Sequence, residues 1–144
     1  MAHLIQLSEA ASIALHSLAL MAGSPGSLFS VKQIAQRSGV SVNHLAKVMQ
    51  RLVKAGILSS SRGPKGGFSM ALPLEQISLL DIYEAIEGRL SNSPCPLNRK
   101  KCIFTECMFG SMFSNLNQEV SDYLKHKKIS DFAPNKSTGD DNDS

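Results

Sequence analysis

The segment from residue 62 to residue 67 constrains the fold of this chain most strongly. It reads Arg-Gly-Pro-Lys-Gly-Gly, with three glycines and one proline in six residues. Such a composition favours a turn and excludes the interior of a helix. The segments on either side, residues 57–61 and 68–72, can pair as two short β-strands. The sequence therefore predicts a β-hairpin whose tip holds two cationic side chains, Arg62 and Lys65.

Three helices are predicted before the hairpin. Residues 7–22 are apolar on most sides, which is typical of a largely buried helix. Ser30 is followed three residues later by a glutamine, the spacing of a capping box, so a second helix is expected from Ser30 to Gly39. Ser41 can cap a third helix through about residue 55, in which apolar residues recur at helical spacing.

Two more helices are expected after the hairpin. Ser78 can cap a short helix that ends at Gly88. A longer helix is expected from about Thr105 to near Lys127, after an irregular loop. Its apolar positions are Met108, Phe109, Met112, Phe113, Leu116, Val120, Tyr123 and Leu124. A helix with so long an apolar stripe packs either on its own domain or on a partner.

The positive charge is concentrated in the first half of the chain. The net charge is +3, but residues 1–75 hold seven Lys and Arg against two acidic residues, a balance of +5. Binding to the phosphates of nucleic acid requires such a basic surface. No run of about 18 apolar residues is present to cross a membrane. The N-terminal MAHLIQLSEA is not a secretory signal, so we expect a cytoplasmic protein that does not bind membranes.

The predicted elements follow one another in the order of a winged helix-turn-helix, a mainly α-helical fold with a small β-hairpin wing. In this fold the N-terminal end of the second short helix can enter the major groove, where its polar side chains bind base edges. Helix starts can also bind phosphate through free backbone N–H groups, and the wing tip suits a phosphate or minor-groove contact. The predicted DNA-binding residues are Ser30, Ser41, Val42, Asn43, His44, Lys47, Gln50, Arg51, Arg62 and Lys65.

The three cysteines of the chain lie close together in sequence. Cys95, Cys102 and Cys107 have the spacing C-x6-C-x4-C. Thiolates bind zinc and iron–sulfur clusters, and the basic residues 99–101 favour the thiolate form. Both kinds of site usually need a fourth ligand, and no histidine lies nearby in the sequence. The spacing alone therefore leaves open a metal site, a thiol redox switch and three unliganded thiols.

Residues 30–88 resemble the Rrf2 family of bacterial transcription regulators. The resemblance lies in the wing, residues 62–68, which has the pattern R-G-x-x-G-G-[YF], and in the next helix start, Ile-Ser-Leu-Leu-Asp-Ile at 77–82. With IALHSLALMA near the N-terminus and KKISDF near the C-terminus, the similarity covers about residues 1–132. It implies a homodimer that binds double-stranded DNA, with the long C-terminal helix crossing to the partner subunit.

The resemblance and the residue pattern together divide the chain into four expected parts. These are a winged helix-turn-helix DNA-binding domain at 1–88, a cysteine-containing loop at 89–104, a dimerisation helix and its end at 105–132, and a disordered tail at 133–144.

Cluster-bearing members of the family place three cysteines in the same loop, usually as C-x5-C-x5-C. The outer separation is the same here, while Cys102 is displaced by one position. Some relatives use a histidine three residues after the last cysteine as fourth ligand, but that position is Gly110. Others use a carboxylate from the first helix of the partner subunit, where the register places Ser12. Glu9 of the partner subunit is the better chemical candidate, and His16 is a third.

The resemblance thus implies a 2Fe–2S or 4Fe–4S cluster held by Cys95, Cys102 and Cys107. Our first hypothesis is a transcription regulator that senses redox, nitric oxide or iron–sulfur status through this cluster. The second is a cluster-free regulator that responds to thiol oxidation, a metabolite or a partner protein. An enzyme is not expected, because the chain has no Ser–His–Asp order, no H-E-x-x-H and no phosphate-binding loop.

Overall fold

The computed structural model describes residues 2–91, 93–97 and 101–134. The helices are α1 (Glu9–Met21), α2 (Val31–Ser38), α3 (Val42–Lys54), α4 (Leu79–Glu87) and α5 (Met112–His126), and the strands are β1 (Leu58–Ser61) and β2 (Gly67–Met70). Short 3-10 turns occupy Leu74–Gln76 and Ile129–Phe132. The predicted mainly helical fold with a two-stranded antiparallel hairpin is confirmed. The predicted effect of Arg99 and Lys100, and all but residues 133 and 134 of the predicted disordered tail, lie outside the described residues.

Serine caps define where the helices of the helix-turn-helix begin. The Ser30 Oγ accepts a hydrogen bond from the Gln33 N–H at 3.2 Å, and the Gln33 Oε1 accepts one from the Ser30 N–H at 2.9 Å, which completes the predicted capping box. The Ser41 Oγ accepts from the His44 N–H at 3.2 Å. Caps of this kind contribute about 1 kcal/mol each. The turn between α2 and α3 is therefore confined to residues 39–41.

One hydrophobic core joins α1 to α3, α4 and the hairpin. Its largest fully buried side chains are Leu18, Met21, Ile34, Leu45, Val48, Met49, Leu52, Ile77, Ile82 and Ile129. Burying side chains of this size contributes roughly 1.5–3 kcal/mol each. The core includes residues of α3 from one side only, so that helix is held firmly while its other side faces solvent. No helix in the described part of the chain is long and apolar enough to cross a membrane.

Hydrogen bonds connect α5 to the rest of the chain near its middle and just after its end. The Asn117 Nδ2 donates a hydrogen bond to the Ser93 carbonyl at 3.0 Å. After the helix, the Leu79 N–H donates to the Lys127 carbonyl at 3.0 Å, and the Ile129 N–H donates to the Ile77 carbonyl at 2.9 Å. The chain therefore returns to the start of α4 and buries Ile129 in the core.

The long C-terminal helix begins at Met112, so its predicted start near Thr105 is wrong. Gly110 has a φ of 56°, a left-handed conformation that a right-handed helix does not contain. Its N–H donates to the Cys107 carbonyl at 3.0 Å, which closes a turn before the helix. The apolar residues Met108 and Phe109 continue the helical pattern in the sequence, but they belong to this turn and lie largely exposed.

Candidate nucleic-acid interface

One side of α3 presents a row of polar and cationic side chains. Exposed residues recur there every three or four positions, which places them along one side of the helix. We call these residues, Asn43, Lys47, Gln50 and Lys54, the α3 polar row. The opposite side of the helix is buried in the core. Lys54 was not among the predicted site residues, although its spacing from Lys47 and Gln50 would have identified it.

The start of α3 leaves backbone donors available for an anion. The N–H groups of Val42 and Asn43 lie in the first helical turn, where no intrahelical acceptor exists. Val42 is 45% exposed, so this helix end is open to solvent. Ser30 differs, because its N–H already donates to the Gln33 side chain. The Ser30 N–H is therefore not free as predicted, since the capping box uses that donor, and contact of Ser30 with DNA stays a prediction.

His44 and Arg51 lie on the side of α3 that faces the neighbouring helices. The His44 Nδ1 is 4.0 Å from the Glu9 Oε1 of α1, an ion pair only when His44 is protonated. The Arg51 Nη1 donates a hydrogen bond to the Ile86 carbonyl in the last turn of α4, at 3.3 Å. Both side chains thus connect α3 to the rest of the domain, and their contact with DNA stays a prediction.

Backbone hydrogen bonds join the wing to the start of α2. The Phe29 N–H donates to the Phe68 carbonyl at 2.9 Å, and the Phe68 N–H donates to the Phe29 carbonyl at 2.8 Å. A Cβ on Gly67 would lie 2.5 Å from the Phe29 carbonyl oxygen, so only glycine allows this approach. The close contact accounts for Gly67, whereas a Cβ on Gly66 would clash with the Ser61 carbonyl oxygen. Arg62 and Lys65 are exposed at the wing tip.

The three cysteines do not form a preformed metal site in the described residues. Cys102 and Cys107 are exposed, whereas Cys95 is half-buried. Across residues 2–91, 93–97 and 101–134, no group of three or more His, Cys, Asp or Glu side chains is placed to hold a metal ion. Three thiols are chemically suited to iron. Their arrangement in this conformation, however, does not fit a cluster, and binding one would require the loop to rearrange.

The candidate fourth ligands lie on α1. The Glu9 side chain is 80% exposed and faces His44 of its own chain. The His16 Nδ1 lies 2.7 Å from the Ser12 carbonyl oxygen and 3.3 Å from the Ser12 Oγ. Because a carbonyl only accepts hydrogen bonds, the His16 Nδ1 carries the proton in this contact. The ligand role of Glu9 of the partner subunit stays a prediction.

Comparisons with known proteins agree with the helix-turn-helix and its wing. The model of the Rrf2 family, described as an iron-dependent transcriptional regulator, matches residues 7–135. An HTH-type transcriptional regulator of Aquifex aeolicus is 32% identical over 127 residues, which cover 86% of this chain and 88% of that protein. Another, from Neisseria meningitidis serogroup A, is 30% identical over 107 residues, covering 74% of this chain and 72% of that protein.

A solved structure has the same fold. CymR (YrzC), the global cysteine regulator of B. subtilis, superposes with a TM-score of 0.77 at 23% identity, covering 95% of this chain and all of that one. A capped helix with an exposed polar row, beside a glycine-rich wing, defines a DNA-binding protein of the winged helix-turn-helix class. The chain belongs to the Rrf2 family. It is a DNA-binding transcription regulator and, like its relatives, not an enzyme.

Proposed function

We propose that this protein acts as a cytoplasmic homodimer whose affinity for double-stranded DNA depends on the state of the cysteine loop. The signal would be redox, nitric oxide or iron–sulfur status, with a cluster held by Cys95, Cys102 and Cys107. The observation that supports this coupling is the hydrogen bond from Arg51 of α3 to Ile86 of α4. The cysteine loop follows directly from that end of α4.

The loop has one anchored end and one exposed end. The Ser93 carbonyl accepts a hydrogen bond from Asn117 of α5, and the Ser93 Oγ accepts one from the Cys95 N–H at 3.4 Å. Cys102 and Cys107 lie on the exposed part. Bringing all three thiols together therefore requires the exposed part to move toward Cys95.

Such a movement would displace the segment that follows α4 and the segment that precedes α5. The last turn of α4 holds Arg51, so its displacement would change how α3 is presented to DNA. A regulatory signal must give the two states different affinities for the operator, and a shift of α3 supplies that difference. An iron–sulfur cluster, when bound, would supply iron that reacts with oxygen and nitric oxide.

The exposure of Cys102 and Cys107 favours a second candidate, a thiol switch without a cluster. Accessible thiols can be oxidised reversibly, and susceptibility rises with exposure and thiolate character. In this case the same loop would respond to oxidants through its cysteines alone. Iron content separates the two candidates.

The cluster is tested by the spectrum of protein purified without oxygen. We expect absorption between roughly 300 and 450 nm from thiolate–iron charge transfer, lost when Cys95, Cys102 and Cys107 are all replaced by Ala. Ser111→Ala, in the same segment but without loss of a thiol, is the matched control and should keep the absorption. A colourless wild type without iron and sulfide, even after reconstitution, would leave the thiol switch.

The dimer is expected to form through the exposed side of α5. None of its residues is fully buried in the single chain, although the helix has an apolar stripe. Met112 is 42% and Tyr123 55% exposed, and their spacing along the helix places them on the same side of α5. Apolar side chains exposed together on one helix indicate a protein interface.

Replacing Met112 and Tyr123 together by Glu should therefore shift the protein from dimer to monomer in light scattering coupled to gel filtration. The charged side chains could not be buried at the interface without a large desolvation cost. Lys125→Glu, on the opposite side of α5, should leave the dimer intact. A double variant that stays dimeric at micromolar concentration would show that α5 does not form the interface.

A further inference from the structure

A cavity of about 370 Å³ lies between α1 and the end of α2, beside the turn that leads into α3. Its apolar wall is formed by Ile13, Leu20 and Val40. Polar side chains, among them His16 and Arg37, line the remainder. A volume in this range and a mainly apolar wall with a few polar groups are typical of small-molecule sites.

The cavity includes a buried hydroxyl that lacks a partner. Ser17, which lines the cavity, is only 2% exposed. Its Oγ is buried and has no hydrogen-bond partner among the residues that the structure describes. Buried polar groups are almost always hydrogen-bonded, so the wall of this cavity contains an unusual unpartnered hydroxyl.

Arg37 adds a cation to the same cavity. Within residues 2–91, 93–97 and 101–134, its guanidinium forms no ion pair or hydrogen bond. A guanidinium presents several N–H donors in one plane and binds a carboxylate through two parallel hydrogen bonds. The His16 Nδ1 is already engaged by the Ser12 carbonyl, so the Nε2 is the remaining polar atom of that ring.

We propose that this cavity binds a small organic acid with an apolar body. Its carboxylate pairs with Arg37, and its apolar part packs on Ile13, Leu20 and Val40. An acid bound here would bridge α1 and α2 next to the helix-turn-helix turn. It would thus give the regulator a second input besides the cysteines.

Calorimetric titration of the full-length protein with acetate, hexanoate and phenylacetate tests the proposal without DNA or iron. We expect saturable binding of at least one of the two larger acids and none of acetate, which lacks an apolar body. The matching neutral amide and the variant Arg37→Gln should each weaken binding about tenfold or more, as expected for loss of a charged hydrogen bond. Arg62→Gln removes the same charge from the wing and should leave the affinity unchanged.

Absence of binding by all three acids would overturn the proposal. Equal binding of acid and amide, or an undiminished affinity in Arg37→Gln, would overturn it as well. Because the assay contains neither operator nor cluster, its failure would leave the proposed DNA-binding switch untouched.

Discussion

We expect Lys47→Glu to weaken binding to duplex DNA by about a hundredfold. Lys47 lies in the middle of the α3 polar row, between Asn43 and Gln50, and its side chain is exposed. The substitution removes one favourable charge from the helix that we propose enters the major groove, and it adds a repulsive one. Loss of a single phosphate or base contact costs about 1–3 kcal/mol, and the proposed dimer would repeat the change at each half-site.

Fluorescence anisotropy with an operator selected from a random DNA library would measure this effect. Lys125→Glu makes the same charge change on the far side of α5 and serves as the control for a change in net charge. We also expect the slope of affinity against salt concentration to become shallower for Lys47→Glu. If the two variants bound DNA equally well, α3 would not be the surface that contacts DNA.

Gly67→Ala should destabilise the protein by about 2–3 kcal/mol, although it adds only one methyl group. The new Cβ would meet the Phe29 carbonyl oxygen at 2.5 Å and the Ser30 nitrogen at 3.2 Å. Neither backbone atom can move freely, because Phe29 is hydrogen-bonded to Phe68 and Ser30 caps α2. The clash must therefore separate β2 from the start of α2, which also displaces the wing.

Urea unfolding followed by circular dichroism gives the change in the free energy of unfolding. Ser59→Ala, at an exposed position of the paired strand, is the matched control and should stay within about 0.5 kcal/mol of the wild type. A Gly67→Ala protein as stable as the wild type would mean that the close approach of Gly67 to Phe29 is not required.

Sequence reasoning succeeded where the determinants are local. Ser30, Ser41 and Ser78 cap the helices that they were expected to begin, because a capping serine acts on residues within one turn. The glycine-rich turn likewise predicted the hairpin. What the turn sequence could not reveal was the tertiary reason for Gly67, which depends on Phe29, a residue almost forty positions earlier.

The clearest error concerns the start of α5. The apolar residues Met108 and Phe109 continue the helical spacing in the sequence. Because Gly110 adopts a left-handed conformation, the helix begins only at Met112. The sequence could not show that Arg51 donates a hydrogen bond to Ile86 of α4, and its contact with DNA stays a prediction. The spacing of the cysteines shows which thiols are close in sequence. It does not show where an irregular loop places them in space.

The most direct test of the account is the DNA affinity of oxygen-free protein before and after removal of iron by a chelator. The triple Ala variant of Cys95, Cys102 and Cys107 would be titrated beside it. We expect affinities that differ about tenfold between the two states of the wild type, a coupling typical of regulated proteins, and no chelator effect in the variant. Identical affinities in an iron-containing wild type, its chelated form and the variant would contradict regulation through the cysteine loop.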